Sequence, residues 1–98
     1  MTDKQFNDAF TAAGGWFILT QYQFIANSNL EKETLLKKLF EKGFDAEISG
    51  TRTRLNSTLR IIREGRSREA LEKIRDSRMI NAKHPDAKAM AEDILATL

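Results

Sequence analysis

Arg52, Asn56, Arg60 and Arg63 follow one another at i, i+4, i+8 and i+11. With a rise of roughly 1.5 Å and a turn of roughly 100° per residue, that spacing draws a polar stripe about 16 Å long on one flank of a helix. Three guanidinium forks on one stripe suit phosphate oxygens, several of which fall within that reach along a nucleic-acid backbone. All of the arginines lie between Arg52 and Arg78, and no acid occurs from Thr51 to Arg63; the first is Glu64. An arginine surface without acidic neighbours along the chain is the electrostatic footprint of phosphate recognition. The competing reading of the same feature is an ordinary solvated helix face.

The element that must carry the stripe is a helix over Thr51 to Glu64, with Leu55, Leu59 and Ile62 inward and Gly65 as its stop. If Leu55 marks the core direction, the stripe lies between about 60° and 160° together with Thr53, and Arg54 points to the other flank near Ile61. In the next segment, Ser67 to Arg78, Arg68 and Glu72, and Glu69 and Lys73, stand at i and i+4, and Asp76 lies beside Arg75. Such charges can neutralise one another, so arginine density there reads as surface. Net charge agrees with this focus on the middle of the chain. Residues 1–50 hold five lysines against seven acids, residues 51–78 hold eight arginines and Lys73 against four acids, and the whole chain is +2.

Helical periodicity runs from end to end. Thr2 and Gln5 form a capping box ahead of Phe6, Ala9, Phe10 and Ala13, stopped by Gly14 and Gly15. Trp16 to Ala26 is apolar on nearly all sides, as a central core helix would be, with a strand as the alternative. Ser28 and Glu31 read as a second capping box before a helix with Leu35, Leu36, Leu39 and Phe40 inward, ended by Gly43. Pro85 suits the first turn of a last helix that carries Ala87, Met90, Ala91, Ile94, Leu95 and Leu98. The expected fold is all-α, about six short helices in one compact bundle, a single domain over residues 1–98. With 98 residues, 41% of them hydrophobic, the chain can build one core without disulfide or metal staples.

The segment from Leu35 to Leu59 resembles the SAP motif, a helix-extension-helix module. Leu35, Leu39, Gly43 and Phe44 match its first half in spacing, and Ser49, Gly50, Thr51, Leu55 and Leu59 its second, with Arg52 where lysine is usual. The stretch from Phe44 to Gly50 is longer than the family's usual linker, and Thr58 stands where many members carry a basic residue. The resemblance implies a helix pair at 30–64 and double-stranded DNA as ligand, contacted by Lys42, Ser49, Gly50, Thr51 and Arg52. Arg54, Asn56, Arg60 and Arg63 join this set from the charge map. In physical terms, Gly43 permits a left-handed cap, Phe44 wedges the two helices, and Thr51 caps the second so that its amide dipole and Arg52 meet an anion together. A regular helix-turn-helix fits less well, because its register would bury Ser49 or Asn56 in a small core.

Other chemistry finds little support. The absence of cysteine and the single histidine remove the common zinc arrangements. His84, between Lys83 and Pro85, reads as a polar residue near a helix start, and Gly14-Gly15 lacks the lysine and hydroxyl of a phosphate loop. Phe6, Phe10, Trp16, Phe17 and Phe24 read as core, not as a base-stacking platform. No catalytic residue, metal or cofactor is expected. Met1 to Asp8 carries acids and amides where a signal peptide needs basic then apolar residues. The expectation is a soluble cytoplasmic DNA-binding accessory or regulatory protein, nucleoid-associated if bacterial. Its alternative is an adaptor whose basic helix docks an acidic protein partner.

Overall fold

The computed structural model describes residues 1–98 and contains seven helices and no strand. The capping box at Thr2 forms as the sequence dictates: the Gln5 amide donates to Thr2 Oγ1 at 3.1 Å and the Thr2 amide to Gln5 Oε1 at 2.9 Å. It opens α1 (Asp3–Ala13), which ends where Gly14 turns to φ +84° and its amide donates to the Phe10 carbonyl. Helix α2 (Gly15–Ala26) follows without a linker and buries Phe17, Ile18, Leu19, Tyr22 and Ile25, which excludes the strand alternative. Its one buried amide, Gln21, is satisfied: Oε1 accepts from Lys42 Nζ at 2.7 Å and Nε2 donates to Thr20 Oγ1 at 3.1 Å.

Helix α3 (Lys32–Phe40) starts later than Ser28 implied. Ser28 Oγ accepts from the Leu30 amide at 3.0 Å, closing a local turn in place of the expected capping box with Glu31. Residues 41–47 then lead into α4 (Ile48–Arg63), which begins three residues before Thr51. Gly43 has φ +84°, the conformation its position after α3 called for. Phe44 packs edge-on against Phe17, with ring centroids 5.1 Å apart.

The expected single helix from Ser67 to Arg78 is broken in two, α5 (Ser67–Arg75) and α6 (Arg78–Lys83). Ser77 causes the break, since its Oγ accepts from the Ile80 amide at 3.2 Å as a helix N-cap does. Asn81 holds it: Nδ2 donates to the carbonyls of Ile74, Arg75 and Ser77, the last at 2.7 Å, and so satisfies the frayed end of α5. Pro85 stands outside α7 (Ala87–Leu95), in a turn closed by the Ala87 amide on the His84 carbonyl at 2.9 Å.

Two apolar clusters make the interior. The larger joins α1, α2, α5 and α7 around Phe6, Phe10, Leu19, Leu71 and Ile74, with Ile61 from α4. The smaller joins α3 to Phe17, Ile25 and Leu55, and the half-buried Ile62 packs against both. Because α4 touches both clusters, its buried strip is Thr51, Leu55, Thr58 and Ile61, while Leu59 and Ile62 are only half-buried. The two threonines are tolerated there because each hydroxyl donates a hydrogen bond, Thr51 to Asp45 Oδ2 at 3.0 Å and Thr58 to the Arg54 carbonyl at 2.9 Å. No helix is long and apolar enough to cross a membrane.

Candidate nucleic-acid interface

The sixteen-residue α4 carries most of the candidate residues, and its packing sorts them. Thr51 is corrected first. It is fully buried inside α4, and Glu47 occupies the cap position instead. The two extra residues between Phe44 and the helix let α4 start earlier, so Ser49 and Gly50 lie within its first turn. Ser49 is exposed, and its carbonyl accepts from Thr53 Oγ1 at 3.2 Å. Gly50 is half-buried, with its α-carbon so near Asp45 that a Cβ would sit 3.1 Å from the carboxylate.

Two arginines that lack acidic neighbours along the helix acquire them from other elements. Arg52 forks onto Glu33 of α3, Nη1 to Oε1 at 2.6 Å and Nη2 to Oε2 at 3.5 Å. The hydrogen bond from Arg52 holds the Glu33 carboxyl below the usual glutamate range. Arg54 lies on the opposite flank of α4, as its helical angle requires, and there it joins three elements. Nε donates to both oxygens of Asp45 at 3.1 Å, and Nη1 donates to the Ala13 carbonyl at 2.7 Å. Its guanidinium also lies 5.9 Å from the centroid of the Phe17 ring. Arg54 is thus a buttress between α1, α4 and the 41–47 connector.

Lys42 is exposed but occupied, bonded to Gln21 and placed 4.1 Å over the centroid of the Phe24 ring. The arginines beyond α4 are mostly held as well. Arg66 pairs with Glu69 and, at 2.9 Å, with Asp3, and lies over Phe6. Arg68 donates to the Leu95 and Leu98 carbonyls, and Arg75 pairs with Asp76 at 2.9 Å. The i,i+4 pairs expected in α5 do not form, because Arg66 takes Glu69 and Lys73 donates to Asn7 Oδ1 at 2.9 Å. Of the α5 charges, Glu69 and Arg75 are therefore paired with acids or bases outside the expected i,i+4 scheme, whereas Arg68 and Lys73 bond carbonyl and amide oxygens. The Arg75 hydrogen bond depresses the Asp76 carboxyl, and Asp76 in turn raises Arg75.

What remains of the stripe is its C-terminal part. Asn56 and Arg63 are exposed and Arg60 half-buried, and none of the three side chains has a hydrogen bond or ion pair within the protein. Sequence reasoning missed Glu33 and Asp45, which meet α4 only through tertiary packing. It also missed the contact between Trp16 and His84, whose rings stack 3.6 Å apart and within 6° of parallel. His84 closes α6 instead of opening α7. Comparison of the chain with protein-family models, with curated proteins and with solved structures gives no match.

Proposed function

We propose that this protein binds nucleic acid without catalysing a reaction, and that duplex DNA is the ligand, met at its phosphates by the Asn56, Arg60 and Arg63 flank of α4. One observation carries the reading. In a chain whose arginines are otherwise mostly tied to acids or carbonyls, Arg60 and Arg63 stand on one helix flank with Asn56 and have no partner. Folding usually finds a use for a guanidinium, and one left bare beside another is available to an external anion.

The resemblance to the SAP motif supports the reading through Gly43, which has a positive φ two residues beyond the α3 cap Glu41, and Phe44, which packs against the apolar cluster that α3 shares with Leu55 of α4. Of the residues it assigns to DNA contact, Lys42 and Ser49 remain exposed, whereas Thr51 faces the core and is withdrawn from the contact set. Contacts to phosphate carry little base information, so binding is salt-sensitive and weakly sequence-selective.

The test is fluorescence anisotropy of a labelled duplex titrated over a salt series, with Arg60→Gln plus Arg63→Gln as comparison. Both arginines lie in the last turn of α4 and also offset its carbonyl end, so the double variant loses about 1 kcal/mol of stability and is checked for folding by circular dichroism. The expected result is a log-log salt slope shallower by about two units in the double variant. Absence of duplex binding by the folded protein at low salt overturns the proposal.

A further inference from the structure

A cleft of about 270 Å³ opens between the start of α2 and the short helix α6. It is lined by the stacked rings of Trp16 and His84, by Phe17, Phe44, Met79 and Ile80, and by Arg54 and Lys83 as its charged members. Gly14 and Gly15 complete the lining, so no acid borders the space. Arg54 spends Nε on Asp45 and Nη1 on Ala13, which leaves Nη2 without a protein acceptor. Lys83 forms no ion pair and is exposed. Met79, the most exposed large apolar side chain of the protein at 73%, stands at the same opening.

This combination is selective in its chemistry. The unpaired Lys83 supplies the positive charge, and Arg54, whose charge is already matched by Asp45, adds the free Nη2 donor; an aromatic and thioether lining accepts a flat apolar body but offers a sugar or a peptide few polar partners. The volume lies near the lower end of small-molecule sites, so the occupant is limited to one or two rings. We propose that the cleft binds a small aromatic anion, a planar ring bearing one carboxylate or phosphate group, with the anionic group held by Lys83 and Arg54 and the ring against Trp16, His84 and Met79. The site stands apart from the DNA reading, because Arg54 and the Asn56, Arg60 and Arg63 flank lie on opposite sides of α4.

Trp16 is the sole tryptophan of the chain and lines the cleft, so its emission reports occupancy directly. The full chain is titrated with benzoate and with phenyl phosphate, using benzyl alcohol and phenol as uncharged counterparts and inorganic phosphate alone. The proposal expects a saturable change in Trp16 emission with at least one of the two anions, little with the uncharged compounds, and about tenfold weaker binding in Lys83→Gln. Lys88→Gln, on α7 and outside the cleft, leaves the affinity unchanged. Response to benzoate alone identifies a carboxylate ligand, and response to phenyl phosphate alone a phosphate ligand. Equal response to charged and uncharged compounds, indifference to Lys83→Gln, binding of inorganic phosphate as tight as that of phenyl phosphate, or no saturable change at all overturns it. Arg60→Gln plus Arg63→Gln leaves this titration unaltered, so the cleft and the DNA flank stand or fall separately.

Discussion

Arg54 Nη1 donates to the carbonyl oxygen of Ala13 at 2.7 Å, which ties the middle of α4 to the last residue of α1. The same guanidinium neutralises Asp45, whose side chain is only 16% exposed and also accepts from Thr51. One side chain therefore satisfies a helix end, an inward carboxylate and the joint between two helices.

Replacing Arg54 leaves Asp45 without its cation and the Ala13 carbonyl without its donor. Arg54→Ala is expected to cost about 2–4 kcal/mol, and Arg54→Lys, which keeps the charge but not the fork, about 1–2 kcal/mol. Urea denaturation read by circular dichroism measures both. A loss below about 0.5 kcal/mol for Arg54→Ala would show the contact to be no better than a solvated ion pair.

Glu33 withholds Arg52 from the exposed flank. Glu33→Gln removes the negative charge beside the stripe and frees the guanidinium, so duplex affinity should rise and the salt slope steepen by about one unit. The pair also sets a pH dependence. Because the Glu33 pKa is depressed in the folded state, its contribution is present above the unfolded glutamate value and is lost as pH falls through the lower folded one. Carboxyl NMR should place the Glu33 midpoint below that of an ordinary glutamate in the native chain and return it to the ordinary range in Arg52→Gln. An unchanged midpoint in that variant would mean that Arg52 is not the cause.

Gly14 combines two constraints, a φ of +84° and a site where a Cβ would lie 2.6 Å from Arg54 Nη1. Gly14→Ala should cost about 2–4 kcal/mol, from backbone strain plus displacement of the Arg54 buttress. Gly43 has the same φ with nothing within 4 Å, so Gly43→Ala meets no clash and is expected to cost only its own backbone strain, about 1 kcal/mol. Thermal melts of the two variants compare them, and equal losses would remove the packing argument at Gly14.

The sequence was legible where a single local signal had no competitor. The capping box at Thr2, the stop at Gly14, the helical character of Trp16 to Ala26 and the placement of Arg54 opposite the stripe all follow from spacing along one helix, whereas α3 ends at Phe40, ahead of the expected stop at Gly43. It was illegible where short polar side chains choose between neighbouring backbone partners. Ser28 closes a turn on Leu30, and Ser77 caps a new helix where the expected helix ran on to Arg78. The stripe was half-read for a related reason. Helical angles place Arg52 and Arg60 on one flank, but only the packing of α3 beside α4 brings Glu33 to the first and leaves the second bare. Thr51 shows the same limit, because a threonine suits a helix start and a satisfied buried turn equally well until Asp45 is in place.

The division of the interior by α2 and α4 has an energetic corollary. Helix α3 draws on the smaller cluster alone, six buried residues against fifteen in the larger. Partial opening that releases α3 and its connector exposes less apolar surface than global unfolding, so this segment is expected to open at a lower free energy than the fold as a whole. Glu33 rides on that unit, and each excursion of α3 carries the carboxylate away from Arg52. The charge of the exposed flank is thereby coupled to the local stability of a neighbouring helix, and any substitution that loosens Leu35, Leu36 or Leu39 also lengthens the time Arg52 spends unpaired.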